Sequence, residues 1–258
     1  MIAPASHEPI NHEPAIEFDH ASFQINGRPL LQNLVLSVKQ GETLVLLGRS
    51  GSGKTTTLKL INRLLLPTSG EVRVNGQRTE EWDPIRLRRS IGYVIQDGGL
   101  FPHFTVERNI ALVPRIENWP QARIAARVRE LLAIVGLSED LASRYPSQLS
   151  GGQRQRVGVA RALAADPPIL ILDEAFGALD PITRSEMQKE FLALQQRMKK
   201  AVIFVTHDLR EGLLLADRIA LMEAGRLVVD LPARDFSSSD DALVRAYVEA
   251  FASLPDPK

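Results

Sequence analysis

Hydrophobic positions along the chain switch repeatedly between two periods. Ala15 to Ile25 and Leu34 to Lys39 alternate apolar with polar on either side of the turn pair Asn26-Gly27, and Thr43 to Leu47 is an unbroken apolar run ending at Gly48. Alternation sends successive side chains to opposite faces of a strand, whereas a short continuous run suits a strand buried on both faces. From Lys54 to Leu65 the period becomes helical: Leu58, Ile61 and Leu65 share a face, and Pro67-Thr68-Ser69-Gly70 ends the helix. Glu71 to Asn75 and Ile91 to Gln96 read as strands. The intervening Arg86, Arg88 and Arg89 read as a solvated helix face balanced by Glu80, Glu81 and Asp83.

Between Thr105 and Ala165 the pattern is helical, with Ile124, Val128, Leu131, Leu132 and Val135 at helical spacing before Gly136. Beyond it, Ile169 to Leu172 is a second buried-strand run. Asp180-Pro181 supplies a capping residue and a first-turn proline, and Met187, Phe191, Leu194 and Met198 form the core stripe of the helix that follows. Ala201 to Val205 is another strand, and Arg218 to Glu223 with Arg226 to Asp230 reads as a hairpin around Ala224-Gly225. Ala242 to Phe251 suggests one short helix carrying Leu243, Ala246, Tyr247 and Ala250 on a face. Alternating strands and helices predict an α/β fold with a largely parallel central sheet. The expected organisation is a tail over residues 1–14, a single domain over 15–251 with a helical insert at about 98–165, and a short tail over 252–258.

Composition narrows the function classes. The 258 residues carry 31 Lys plus Arg against 31 Asp plus Glu, so no bulk charge attracts nucleic acid or anionic lipid. There is no cysteine, which excludes disulfide scaffolds, thiolate metal sites and cysteine nucleophiles. No stretch approaches the roughly 18 apolar residues needed to cross a bilayer, the richest being broken by Asp217 and Arg218. Met1 to Asn11 lacks the basic start and apolar stretch of a secretory signal, and His7 and His12 have no partner cluster that would make them metal ligands.

Gly48-Arg49-Ser50-Gly51-Ser52-Gly53-Lys54-Thr55, followed by Thr56, is the strongest motif. It fits the P-loop pattern directly after a strand and at the opening of a helix, a context an ordinary glycine-rich turn does not require. The glycines let successive N–H groups converge on phosphate oxygens, Lys54 adds a point charge, and Thr55 offers a hydroxyl to Mg²⁺. Asp173-Glu174 follows a buried strand, which puts both acids at the sheet edge where the P-loop opens; Asp173 suits the metal and Glu174 the attacking water. Leu149-Ser150-Gly151-Gly152-Gln153 opens a further helix and forms a second anion-binding helix end. Two such ends for one nucleotide make sense if the second closes over the nucleotide of another copy.

The P-loop, LSGGQ, the Asp-Glu pair and Thr206-His207-Asp208, in this order over roughly Ile16 to Leu231, resemble the ATP-binding cassette family of transporter ATPases. The resemblance implies a P-loop NTPase, RecA-like core with a small N-terminal antiparallel β subdomain and an inserted helical subdomain, using ATP and Mg²⁺. It implies that Lys54 and Thr55 serve phosphates and metal, that Asp173 serves the metal, that Glu174 is the general base and that His207 bridges Glu174 and the γ-phosphate. Gln96 would sense Mg²⁺ and water and link to a membrane partner, Asp180 would sit in the loop crossing a dimer, and Ser150 and Gly152 would bind the partner's γ-phosphate. The implied assembly is a homodimer or paralogous ATPase dimer, docked through Gly98 to Thr105 on transmembrane permease subunits at the cytoplasmic face of the inner membrane. An extracytoplasmic solute-binding protein would take part indirectly. Ile91-Gly92-Tyr93-Val94-Ile95-Gln96 with Gly99-Leu100-Phe101-Pro102-His103 is most similar to osmoprotectant importer ATPases for glycine betaine, choline or carnitine. Importers of polar amino acids or other small solutes share much of it, and a non-transport cassette ATPase is the reading from another class.

Two positions depart from the family pattern. Ile25 occupies the place of the usual aromatic that stacks on adenine, with Phe23 as the alternative contact on what alternation makes the same strand face. Ala175 replaces the usual proline after the Asp-Glu pair, which is expected to loosen the loop carrying Glu174. After Leu231 the sequence is expected to leave no room for a second, regulatory domain.

Overall fold

The structure is a computed structural model that describes residues 13–177 and 179–252, without the side chains of Gln96, Asp97 and Ala252. Most of the expected N-terminal tail, including His7 and His12, lies outside the described residues, as do Ala178 and residues 253–258.

The chain opens with β1 (Ile16–Ile25) and β2 (Arg28–Val38), joined at Asn26-Gly27, where both residues take positive φ as a tight hairpin turn demands. Then come β3 (Thr43–Leu47), α1 (Lys54–Ile61), β4 (Ser69–Val74), β5 (Gln77–Arg78), α2 (Pro84–Arg89) and β6 (Ile91–Val94). A helical stretch follows: α3 (Val106–Ile110), α4 (Leu112–Ile116), α5 (Gln121–Ile134) and α6 (Gly151–Leu163). The chain returns through β7 (Ile169–Asp173), α7 (Pro181–Met198), β8 (Ala201–Thr206) and α8 (Leu209–Leu215). It closes with β9 (Arg218–Glu223), β10 (Arg226–Pro232), α9 (Ala233–Phe236) and α10 (Ala242–Ala252).

Two sheets result. A four-stranded antiparallel sheet has the order β2-β1-β4-β5, and a six-stranded sheet has the order β10-β9-β3-β8-β7-β6. In the larger one β6, β7, β8, β3 and β9 are parallel and β10 returns antiparallel as the arm of the hairpin. Crossing helices cover a parallel sheet on both faces, which is why β3 and β8 are buried along their whole length. One face packs on α5, α6 and α7 through Val45, Leu47, Val202 and Phe204, with Ile124, Val128, Val157 and Phe191 opposite. The other face, from Leu44, Leu46, Ile171 and Ile203, packs on α1 and the antiparallel sheet through Leu58, Phe18 and Leu36. Phe176, Phe191 and Phe204 form an aromatic triple, with the Phe176 and Phe204 ring centroids 5.3 Å apart. No helix among the described residues is long and apolar enough to cross a membrane.

Several sequence expectations need correction. The first long helix ends at Ile61 rather than Leu65, because Arg63 takes a left-handed φ of 54 and turns the chain away. The arginines of α2 are not balanced by Glu80, Glu81 and Asp83: Arg88 donates to the Asn62 and Arg63 carbonyls at the end of α1, and Arg89 pairs with Glu117. Strand β6 stops at Val94, short of Gln96, and the backbone of Gln96 to Gly99 forms a 3₁₀ turn.

Candidate nucleotide site

The Gly48–Gly53 loop leaves the carboxyl end of β3 and runs into α1, so the loop stands at the sheet edge where neighbouring strands also terminate. Two of its glycines are needed for different reasons: a Cβ on Gly48 would collide with the Met222 carbonyl oxygen, whereas Gly51 has open space around it but holds a left-handed φ of +79. Helix α1 has no side-chain cap at Gly53 and no acid in its first turn, so its first N–H groups remain available to an anion. Lys54 is buried against the loop, its Nζ donating to the Gly48 carbonyl at 2.6 Å and the Arg49 carbonyl at 2.9 Å. Burial lowers the Lys54 pKa, while the charges of Glu174 and Asp173 oppose that shift. A groove of about 180 Å³ runs along Ser50 to Thr56 and is closed by Leu30 and Glu174.

The acids arrive on the neighbouring strands. Asp173 ends β7 opposite Val205 of β8, and burial raises its pKa, with the Tyr93 hydroxyl and the Lys54 charge acting the other way. Glu174 holds a left-handed φ of 49, and its N–H donates to the Val205 carbonyl at 3.0 Å. For a residue with a Cβ this conformation costs about 1–3 kcal/mol, a strain that clusters where a side chain must be aimed. His207 follows β8, and its Nδ1 lies 3.7 Å from Glu174 Oε1. The turn behind His207 is fixed by Thr206, whose hydroxyl accepts from the Asp208 N–H, and by Asp208, whose carboxylate caps α8 at Arg210. Carboxylate and imidazole therefore stand side by side, the carboxylate on the wall of the groove.

Thr55 is exposed on the groove wall, and Asp173 lies close enough to Lys54 to act on its charge. One hydroxyl and one carboxylate beside a phosphate cradle fit Mg²⁺, which keeps most of its waters and takes few protein ligands. Among the described residues no three His, Cys, Asp or Glu side chains cluster, so no metal site is made from such ligands alone.

The loop after Glu174 is tethered in spite of Ala175. Ala175 is buried, Phe176 sits in the aromatic triple, and Arg184 of α7 donates to the carbonyls of Phe176, Gly177 and Leu179. Arg184 also lies 4.0 Å from Asp208, the residue after His207. These contacts restrain the loop by packing and hydrogen bonds where a proline would restrain it through φ. Asp180 caps α7 by accepting from the Thr183 N–H at 3.1 Å.

The LSGGQ segment is elsewhere. Ser150 accepts from the Gln153 N–H at 3.2 Å, and the Gln153 side chain accepts from the Ser150 N–H at 3.0 Å, a complete capping box. Gln153 is thereby engaged with its own helix, leaving the N–H groups of Gly151 and Gly152 directed out of the helix end. A Cβ on Gly152 would sit 2.5 Å from Thr183 Cγ2, whereas Gly151 is open. None of Ser150 to Gln153 lines the P-loop groove. Gln96 starts the turn beside α6, and its side chain lies outside the described residues. Arg161 of α6 holds that turn through the Gly98 and Gly99 carbonyls, and next to it the Phe101, His103 and Phe104 rings cluster around a loop pinned by Asn109.

The two candidates for adenine are not equivalent. Pairing of β1 with β2 shifts between Phe23 and Gln24, where Leu30 of β2 has no partner, and Phe23 is buried at 8% exposure while Ile25, next to the hairpin turn, stands out at 48%. Neither lines the P-loop groove. Leu30 does, a residue that no sequence motif marks.

The family model described as ABC transporter matches residues 31–177. The chain is 50% identical over 202 residues to the glycine betaine/carnitine/choline transport ATP-binding protein OpuCA of Bacillus subtilis (strain 168), covering 78% of this chain and 53% of the relative. It is 48% identical over 229 residues to the glycine betaine uptake system ATP-binding protein YehX of Escherichia coli (strain K12), covering 86% and 74%. The chain spans about half the length of several such curated relatives. Among solved structures it is similar to the dimeric ATP-binding cassette MJ0796 bound to ADP and Pi, with 33% identity, a TM-score of 0.76 and coverage of 85% of this chain and 99% of that one. It is also similar to cbiO1 from Clostridium perfringens, part of the ABC transporter complex cbiONQ, with 27% identity, a TM-score of 0.82 and coverage of 91% and 95%. With a matching family model over more than half its residues and a P-loop, paired acids and LSGGQ helix placed as described, the chain belongs to the ABC transporter family.

Proposed function

We propose that this chain binds ATP with Mg²⁺ and hydrolyses it as the nucleotide-binding subunit of an importer, working as a pair of cassettes around two ATP molecules. The observation that carries this reading is the division of the site: the groove has a P-loop and Glu174, with His207 beside Glu174, while the LSGGQ helix end stands outside it. A second copy would bring that helix end to the γ-phosphate. The dimeric cassette among the similar structures supports the arrangement.

In this mechanism the loop N–H groups and Lys54 hold the β- and γ-phosphates, and Mg²⁺, when bound, neutralises charge on their oxygens. Thr55 and Asp173 would hold the metal. Glu174 accepts the proton of the attacking water, and His207 steadies the carboxylate and the γ-phosphate oxygen. Ser150 and Gly152 of the other copy close the site, with Asp180 in the loop that crosses the pair. Ile25 and Leu30 border the base, Leu30 from the groove wall and Ile25 from the end of β1.

The relatives' names support uptake of a quaternary-amine osmoprotectant such as glycine betaine, choline or carnitine. Permease subunits would dock at the Gln96 turn and the Phe101–Phe104 cluster, placing the protein at the cytoplasmic face of the inner membrane, with a solute-binding protein acting only through the permease. The test is Glu174→Gln. It should bind ATP and trap a dimer with phosphate release nearly abolished; sustained wild-type turnover would overturn the base assignment.

A further inference from the structure

Tyr93 lies on β6, the edge strand next to β7, where it pairs with Ile171. Asp173 is two residues beyond Ile171, so it shares that face of the sheet. Two residues of a strand rise about 6.5 Å, close to the reach of a phenol from its backbone. The Tyr93 ring leans along the strands, half-buried against the core beneath α1, and its hydroxyl lies 3.2 Å from Asp173 Oδ2. A phenol O–H donates to an ionised carboxylate, and the bond restrains rotation of the Asp173 side chain. Phenylalanine would fill the same space without that bond.

We propose that Tyr93 is a positioning residue for the metal site: by holding Oδ2 it fixes the Asp173 carboxylate with Oδ1 left for the coordination sphere of the nucleotide's Mg²⁺. The inference rests on the reading of Asp173 as the metal's carboxylate. Residues that orient a ligand without touching the metal commonly change its affinity by about 10–100-fold when removed.

The experiment uses Tyr93→Phe in the Glu174→Gln background, so that nucleotide is not consumed. A ribose-labelled fluorescent ATP analogue is titrated with the protein in EDTA and then at increasing Mg²⁺. Affinity in EDTA should match the parent, thermal melting should stay close to it, and the Mg²⁺ concentration for half-maximal tightening should rise about tenfold. In an Asp173→Asn background the same Tyr93→Phe change should add nothing to the Mg²⁺ dependence. A midpoint within twofold of the parent, an equal loss of affinity in EDTA, or the same shift without the Asp173 carboxylate would each overturn the proposal. Absence of any Mg²⁺-dependent tightening in the parent would instead overturn the nucleotide-site reading on which it rests.

Discussion

Two helices of this molecule have glycines at their N-terminal ends and no acids in their first turns, yet they are built for different tasks. Helix α1 has no side-chain cap, and its free N–H end opens on a groove that also receives Lys54, Glu174 and, beside Glu174, His207. Helix α6 is capped by its own Ser150 and Gln153, and its glycine end lines no part of that groove. Both ends can attract phosphate through the same backbone physics. Only the first has groups that can move a proton. The difference teaches that anion binding is the generic part of this fold, and that the strand ends beside the P-loop supply the chemistry.

The sharpest way to break this contrast is to remove the proton acceptor. Glu174→Gln should lower phosphate release by about 10²–10⁴-fold, the range for a positioned general base, with nucleotide binding retained in a filter or fluorescence assay. If hydrolysis survives, the chemistry is not at the β7 end. A smaller effect is expected from Arg184→Met, which removes the guanidinium from the Phe176, Gly177 and Leu179 carbonyls and from Asp208. Turnover should fall about tenfold with little change in ATP affinity, since the orientation of Glu174 and His207 suffers and the P-loop does not. Phe204→Ala addresses the core on the α6 side of the sheet: removing a fully buried ring should cost about 3–5 kcal/mol in a denaturant titration. The mildest change is Ile25→Tyr, which offers a π-face at the end of β1 and should tighten ATP binding by about 2- to 10-fold, about 0.5–1.5 kcal/mol for an added aromatic stack. Unchanged affinity would mean that the base lies against Leu30 and does not reach the end of β1.

Much of this could be read in the sequence where the signal is local. The runs Thr43–Leu47 and Ile169–Leu172 are continuous because the central strands are buried on both faces, and Ala224-Gly225 takes the positive φ values that mark its hairpin. The P-loop, the acid pair and LSGGQ are contiguous motifs at the ends of such elements. What the sequence hid is carried by distant contacts. Phe23 and Ile25 look equivalent by alternation, but packing buries Phe23 in the core and leaves Ile25 exposed beside the hairpin turn. Ala175 reads as a lost restraint, while Arg184, nine residues later, supplies another through three carbonyls that no local motif announces. Arg88 reads as a surface charge, yet it closes the end of α1. Leu30 and Tyr93 carry no motif, and only the approach of β2 to the P-loop and of β6 to β7 gives them a place in the site.

The central claim is that the α6 helix end completes the site of a second copy. Gly151 offers the direct test, because a Cβ there meets only the far end of the Arg154 side chain at 3.9 Å, so Gly151→Asp fits the isolated chain while setting a negative charge where the partner's γ-phosphate would lie. The mass of the Glu174→Gln protein by light scattering, with ATP and Mg²⁺, should be that of a dimer. With Gly151→Asp added it should be that of a monomer that still binds ATP. A dimer of undiminished stability in the double variant would contradict the account.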